Sequence, residues 1–136
     1  MVSRNRPRMG CSEVEGWWEY DLPFSRPLSL NDTGPWRVKA RRIRECVDAT
    51  ILLTRASHIR GKVKRISVQL TYTPRDNRRR DPLNLVATLK AVEDGIVRAG
   101  GVVPDDNPRY VTSVMPRITA GSGEVGRITV RIIRLE

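Results

Sequence analysis

The sequence predicts an α/β (α+β) domain in which a single mixed β-sheet carries two helices, in the order β-α-β-α-β-β. Three observations carry this expectation. Ile66, Val68, Leu70 and Tyr72 alternate with Ser67, Gln69 and Thr71, the period-2 signature of a half-buried strand. Ala40, Ile43, Val47, Thr50, Ile51 and Thr54, and further on Leu85, Leu89, Val92, Ile96 and Ala99, recur instead at helical spacing. Proline, glycine and asparagine clusters separate these segments. At 136 residues the chain can bury one modest core. Residues 16–136 are read as one domain, behind a basic N-terminus, 1–15, expected to lack order.

The elements follow in order. Residues 17–24 read as the first strand, ended by Pro23. A loop of turn formers, including Asn31, runs to Pro35, with Asp32 or Thr33 placed to cap a helix over 36–54 and Pro35 in its first turn. His58 falls at the helix end or in the loop after it. The strand over 66–72 stops at Pro74. A polar loop then leads to Asp81, a helix cap, with Pro82 suited to the first turn and Gly100–Gly101 closing the helix. Residues 110–115 read as a strand, Gly121-Ser122-Gly123-Glu124 as a hairpin tip, and 127–135 as the last strand.

Composition narrows the partners. Lys and Arg total 25 against 15 acids, a formal charge of +10. Such a chain meets nucleic acid first and an anionic membrane surface second. Arginine dominates the cations, which suits bidentate phosphate contacts. No apolar run approaches the roughly 20 residues of a membrane span, and no signal core follows the N-terminus, so the chain is read as cytoplasmic, with no membrane partner. Cys11, Cys46 and His58 are scattered without ligand spacing, which argues against zinc, a disulfide and a histidine triad. The glycine-rich tip has no following lysine or helix start, so no phosphate loop and no small-molecule cofactor is expected.

The stretch that carries chemistry runs from Arg78 to Asp106. Arg78, Arg79 and Arg80 abut Asp81, and Asp105 and Asp106 return after the helix. Acids among phosphate contacts repel a polyanion, so a protein that only binds one has little use for them. A protein that cuts one does: carboxylates hold Mg²⁺, with Mn²⁺ as a substitute, and the metal activates water. Spacing alone leaves another reading open, with Asp81 as a cap and Asp105–Asp106 as turn residues. Asn84 lies near Asp81, where its amide either orients a ligand or makes a local bond. Arg41, Arg42, Lys62, Lys64 and Arg65 are candidate DNA-backbone contacts. Trp17, Trp18 and Trp36 suit core or interface packing more than base stacking.

Arg78-Arg79-Arg80-Asp81, Asn84-Leu85, Leu89-Lys90-Ala91, Ala99-Gly100, Asp105-Asp106 and Met115-Pro116, in this order and spacing, resemble the RusA family of Holliday-junction resolvases. The resemblance covers about residues 17–135. It implies a small homodimeric, Mg²⁺-dependent endonuclease, often carried by phages or prophages, that nicks four-way DNA junctions symmetrically during recombination and repair. The setting it implies is a bacterial cell or a phage-infected host. Carried over by position, Asp81 matches the first metal-binding acid and Asp106 the later catalytic acid, with Asp105 beside it. Two departures stand out. Leu83 occupies the place of a second acid, and Ala87 that of the family's helix lysine; Lys90 fits only with about one helical turn inserted. An ion pair with Asp94 is the competing role for Lys90. Two further expectations compete with a resolvase: a branched-DNA-binding protein that has lost cleavage, and a basic RNA-binding protein with purely structural acids.

Overall fold

The computed structural model describes residues 8–11, 16–28, 34–59 and 63–136. The strands are β1 (Arg8–Cys11), β2 (Gly16–Asp21), β3 (Ile66–Thr73), β4 (Val111–Ser113), β5 (Arg117–Ile118) and β6 (Arg127–Arg134). The helices are α1 (Trp36–Ala56) and α2 (Val86–Ala99), and a 3₁₀ turn, Pro82–Leu85, leads into α2. The expected β-α-β-α-β-β order is present as β2-α1-β3-α2-β4-β6. Two strands are additions. β1 pairs antiparallel with β2, from Arg8 opposite Glu19 to Cys11 opposite Gly16, so part of the N-terminal segment expected to lack order is sheet. The caps proposed at Asp32 and Thr33 lie outside the described residues. Pro35 stands immediately before α1 rather than inside its first turn.

The sheet order is β1-β2-β6-β3-β4, with β5 also on β3. β3 is antiparallel to β6 along its whole length and parallel to β4 and β5. β4 and β5 together form an interrupted edge: Ser113 pairs with Val68 and Arg117 with Thr71, so residues 114–116 hold one more residue than the partner strand, a bulge. This corrects the hairpin reading of Gly121–Glu124. β5 and β6 flank opposite sides of β3, and the loop between them crosses its end. The alternation seen in the sequence could not reveal this, because pairing partners are set by tertiary packing.

Alternation explains the two faces. Trp18, Tyr20 and Leu22, then Val68, Leu70 and Tyr72, then Ile128, Val130 and Ile132 point to one side and are buried. The other side holds cross-strand polar rows, such as Glu19–Arg131–Gln69. There Arg131 pairs with Glu19 at 2.8 Å and lies 4.6 Å above the Trp17 ring. Trp18 is thus a core residue and Trp17 a packed sheet residue, as expected of them.

The two helices run side by side in the same direction. Cys46 and Thr88 share one cleft, Thr50 abuts Gly95, and Arg55 Nε donates to the Ala99 carbonyl at 3.0 Å. Tyr20 and Thr54 join β2 to α1 through a buried 2.8 Å hydrogen bond between hydroxyls, and burial pushes the phenol's pKa up. β2 and β3 are both antiparallel to β6, hence parallel to each other. Both helices therefore start where β2 and β3 finish. His58 follows α1 with φ 49, the left-handed exit expected at a helix end. Gly100 and Gly101, at φ 79 and 77, close α2 as predicted. Among the described residues no helix is long and apolar enough to cross a membrane.

Candidate nucleic-acid interface

The end at which both helices begin carries a cleft of about 440 Å³. Arg26, Arg78, Arg80, Tyr72, Asp81 and Asn84 supply its polar groups, and Leu28, Leu85 and Ile118 its apolar floor. Arg26, Pro27 and Leu28 also wall a second cleft, which reaches α1 at Arg42, Glu45 and Cys46. Crevices beyond the carboxyl ends of parallel strands are where α/β sheets bind ligands. Helix N-termini add positive potential there, and neither helix has an acid in its first turn. Arg26 was not legible as a site residue in the sequence: it sits in a loop with no motif, and only the fold brings it opposite Arg80.

The arginine loop has its own architecture. Asp76 accepts from the Arg78 amide at 3.1 Å, from Arg78 Nε at 3.0 Å and from Arg80 at 2.8 Å. Arg80 also donates to the carbonyls of Asp76 and Arg78 and lies 5.9 Å from the Tyr72 ring centre. Arg80 is thus committed to shaping the loop, whereas Arg79 is exposed with no hydrogen-bond or ion-pair partner among the described residues. The loop is stitched to the crossing segment 119–123: Asn77 Oδ1 accepts from the Gly121 amide at 2.6 Å, and the amides of Ser122 and Gly123 donate to Pro74 and Arg75. A side chain at residue 121 would meet the Asp76 backbone at 2.5 Å, which is why glycine stands there.

The Arg78 amide, then the Arg80 and Arg78 guanidinium groups, hold the Asp76 carboxyl at about 2. A folded-state pKa below the ordinary carboxylate value means that the clamp is complete above about pH 4 and is lost as pH falls toward 2. It is therefore intact at neutral pH. Asp76→Ala is expected to speed hydrogen exchange of the Arg78 amide about tenfold at pH 7, as loss of its charge-assisted acceptor requires. Unchanged exchange would show that the loop is held from the 119–123 side alone.

Asp81 is exposed on the cleft rim. Its Oδ1 accepts from the Leu83 amide at 3.0 Å, the capping role anticipated from Pro82, and its other oxygen has no hydrogen bond among the described residues. The Asn84 backbone N–H donates to the Asp81 carbonyl at 3.0 Å, a bond of the 3₁₀ turn itself, and the Asn84 residue lines the same cleft. Leu83, a large apolar side chain, is 54 % exposed beside Asp81.

Asp105 and Asp106 lie elsewhere. They precede β4, whose first residue pairs with Ile66 at the start of β3, whereas Asp81 follows the end of β3. The fourteen residues of α2 separate the two regions by about 20 Å. Within one copy the β3-α2-β4 crossover therefore places the acids at opposite ends of the sheet. Among the described residues no group of three His, Cys, Asp or Glu side chains converges to hold a metal. Asp105 accepts from the Asp106 amide and from Asn107 Nδ2, both at 2.8 Å, and these bonds lower its pKa, Asn107 foremost. That is a turn role. Asp106 is exposed.

The remaining candidates divide between the two ends. Arg41, Arg42, Arg78, Arg79 and Arg80 belong to the Asp81 end. Lys64 and Arg65 adjoin the start of β3, the Asp105–Asp106 end, and Arg65 is engaged with Thr112 Oγ1 at 2.8 Å. Lys62 lies outside the described residues. Lys90 is exposed on α2 and does not line the Asp81 cleft. Its expected partner Asp94 pairs instead with Arg98, at 3.3 Å. No protein-family model matches the chain, and no curated protein matches its sequence.

Proposed function

We propose that this protein is a Mg²⁺-dependent, structure-selective endodeoxyribonuclease that acts on four-way or otherwise branched DNA as a homodimer. The observation that carries this reading is the position of Asp81. Its carboxylate has an oxygen to spare, on the rim of a cleft bordered by Arg26, Arg78 and Arg80. The formal charge of +10 and the order of motifs shared with RusA resolvases support the same reading.

The donor chemistry fits a hard cation, since Mg²⁺ takes one or two carboxylates together with phosphate oxygens and water. Asp76 is committed to arginines, however, so Asp81 is the carboxylate that the cleft of one copy offers among the described residues. A two-fold partner turned end for end resolves the shortage: it sets the Asp105–Asp106 end of one copy beside the Asp81 end of the other. In this reading Asp81 of one copy and Asp106 of the partner would hold the ion, with Asp105 orienting the turn. Bound there, Mg²⁺ would lower the pKa of water and neutralise charge on the scissile phosphate. Arg78 and Arg26 would hold the flanking phosphates, and Arg79 would stabilise developing charge. Two sites related by a two-fold axis suit two symmetric cuts in a junction that is itself two-fold.

Leu83 favours a second reading, a branched-DNA-binding protein without cleavage. One assay separates the two. The protein and Asp81→Asn are incubated with a synthetic four-way junction and a matched linear duplex, with and without Mg²⁺. Paired symmetric nicks that require both metal and Asp81 are expected. Tight junction binding without nicks would establish the second reading, and equal affinity for single-stranded RNA would sink both.

A further inference from the structure

Of the three tryptophans, Trp36 is unlike the others: it is 74 % exposed. It opens α1, and Ile43, also exposed, follows seven residues later on the same helical line. Residues 36–44 hold five cations, Arg37, Lys39, Arg41, Arg42 and Arg44, and no acid. By helical angle Arg37 and Arg44 flank the Trp36–Ile43 line on one side and Lys39 on the other. The Arg37 guanidinium lies 5.7 Å from the Trp36 ring centre, which fixes the indole beside a charge rather than against the protein. Lys39 and Arg44 have no ion-pair partner among the described residues. Arg41 faces Glu45 at 3.9 Å, a loose exposed contact.

We propose that this stripe binds single-stranded DNA: unpaired bases stack on Trp36 and pass over Ile43, and the flanking phosphates meet Arg37, Arg44 and Lys39. An exposed aromatic between cations is the arrangement with which proteins hold nucleic acid that has lost its pairing partner. A paired duplex presents phosphates but few free base faces, so it can use the cations and not the indole. The stripe adjoins the site already described, because Arg42 of the same helix lines the cleft that shares the Arg26–Leu28 wall with the Asp81 cleft. Bases opened at a branch point would thus be held near the Asp81 cleft. The inference rests on the nucleic-acid part of the proposed function and not on cleavage.

The test is equilibrium binding in EDTA, with labelled oligo(dT), a duplex of equal length and a four-way junction. Trp36→Ala should weaken oligo(dT) binding about tenfold and leave duplex affinity within about twofold, since one stacked base is lost. Trp36→Phe should restore most of the loss. Arg37→Ala with Arg44→Ala should weaken all three ligands and flatten the salt dependence by about one slope unit per contact removed. The side chains are exposed, so circular dichroism should show folded variants. Equal losses on all ligands for Trp36→Ala, no loss on oligo(dT), or Trp36→Phe behaving as Trp36→Ala would overturn the inference. So would conversion of a sedimenting dimer to monomer by Trp36→Ala, which would assign the stripe to a second copy of the chain. Wild-type protein that holds the junction but ignores oligo(dT) overturns this inference alone. If it ignores both, the nucleic-acid reading falls with it.

Discussion

Neither Asp81→Asn nor Asp106→Asn should nick a four-way junction on its own, and an equimolar mixture of the two, allowed to exchange subunits, should recover about a quarter of wild-type nicking. The expectation follows from where β3 and α2 put the two acids. Asp81 follows the end of β3, Asp106 precedes β4 at its start, and α2, which lies between them in the chain, is packed in the core. If each site takes one acid from each copy, a heterodimer concentrates both lesions in one site and leaves the other whole. Random exchange makes about half of all dimers mixed, with one of two sites intact in each. If instead both acids served one site within a copy, every site in every mixed dimer would carry one lesion, and the mixture would stay inactive. That result would sink the shared site.

Both variants should fold. Asparagine caps a helix start about as well as aspartate, so Asp81→Asn keeps the bond to the Leu83 amide. Asp106 is exposed, and the turn it sits in is held by Asp105 and Asn107. The readout is also specific in kind, because a junction cut by a dimer with one intact site should accumulate single nicks rather than paired ones.

The fold was largely legible, and for a physical reason. Where one face of an element is buried, the burial writes a period into the sequence, as in Ile66–Thr73 and along α2. What the sequence did not disclose depends on which elements become neighbours. The loop at Gly121 looked like a hairpin tip because glycine suits one, yet this glycine is required by contact with the Asp76 backbone. The site was legible in the same uneven way. Asp81 is on the cleft, as its arginine neighbours suggested. The acids at 105 and 106 are far from it along the sheet, because residues separated by a β-α-β crossover fall at opposite ends however close their motifs stand in the chain. Arg26 and Asp76, one lining the cleft and the other shaping its loop, sit in no motif at all.

Gly95 supplies the largest expected stability effect. It lies inside α2, where alanine is intrinsically better by about 1 kcal/mol. Propensity alone therefore predicts that Gly95→Ala stabilises. The packing predicts the opposite. A β-carbon at residue 95 would stand 2.6 Å from Thr50 Cβ, 2.8 Å from Thr50 Cγ2 and 2.9 Å from the Val47 carbonyl oxygen. The carbonyl and the Thr50 β-carbon belong to α1 itself, so no rotamer change clears them. Thr50 is further fixed by its hydroxyl, which donates to the Cys46 carbonyl at 2.8 Å. Relief requires the helices to separate, and their buried partners, Val47 and Val92 among them, to lose contact. Overpacking of this kind costs about 1–3 kcal/mol, enough to reverse the propensity gain. Gly95→Ala is thus expected to lower the melting temperature by several degrees, at roughly 4 °C per kcal/mol for a domain of this size, and Gly95→Leu to lower it much further. A rise in melting temperature for Gly95→Ala would mean that α1 and α2 can spread without cost. The α1 and α2 sides of the adjoining cleft, Arg42–Cys46 and Thr88, would then not be held at a fixed spacing, and the rigidity of the wall it shares with the Asp81 cleft would have to come from the sheet alone.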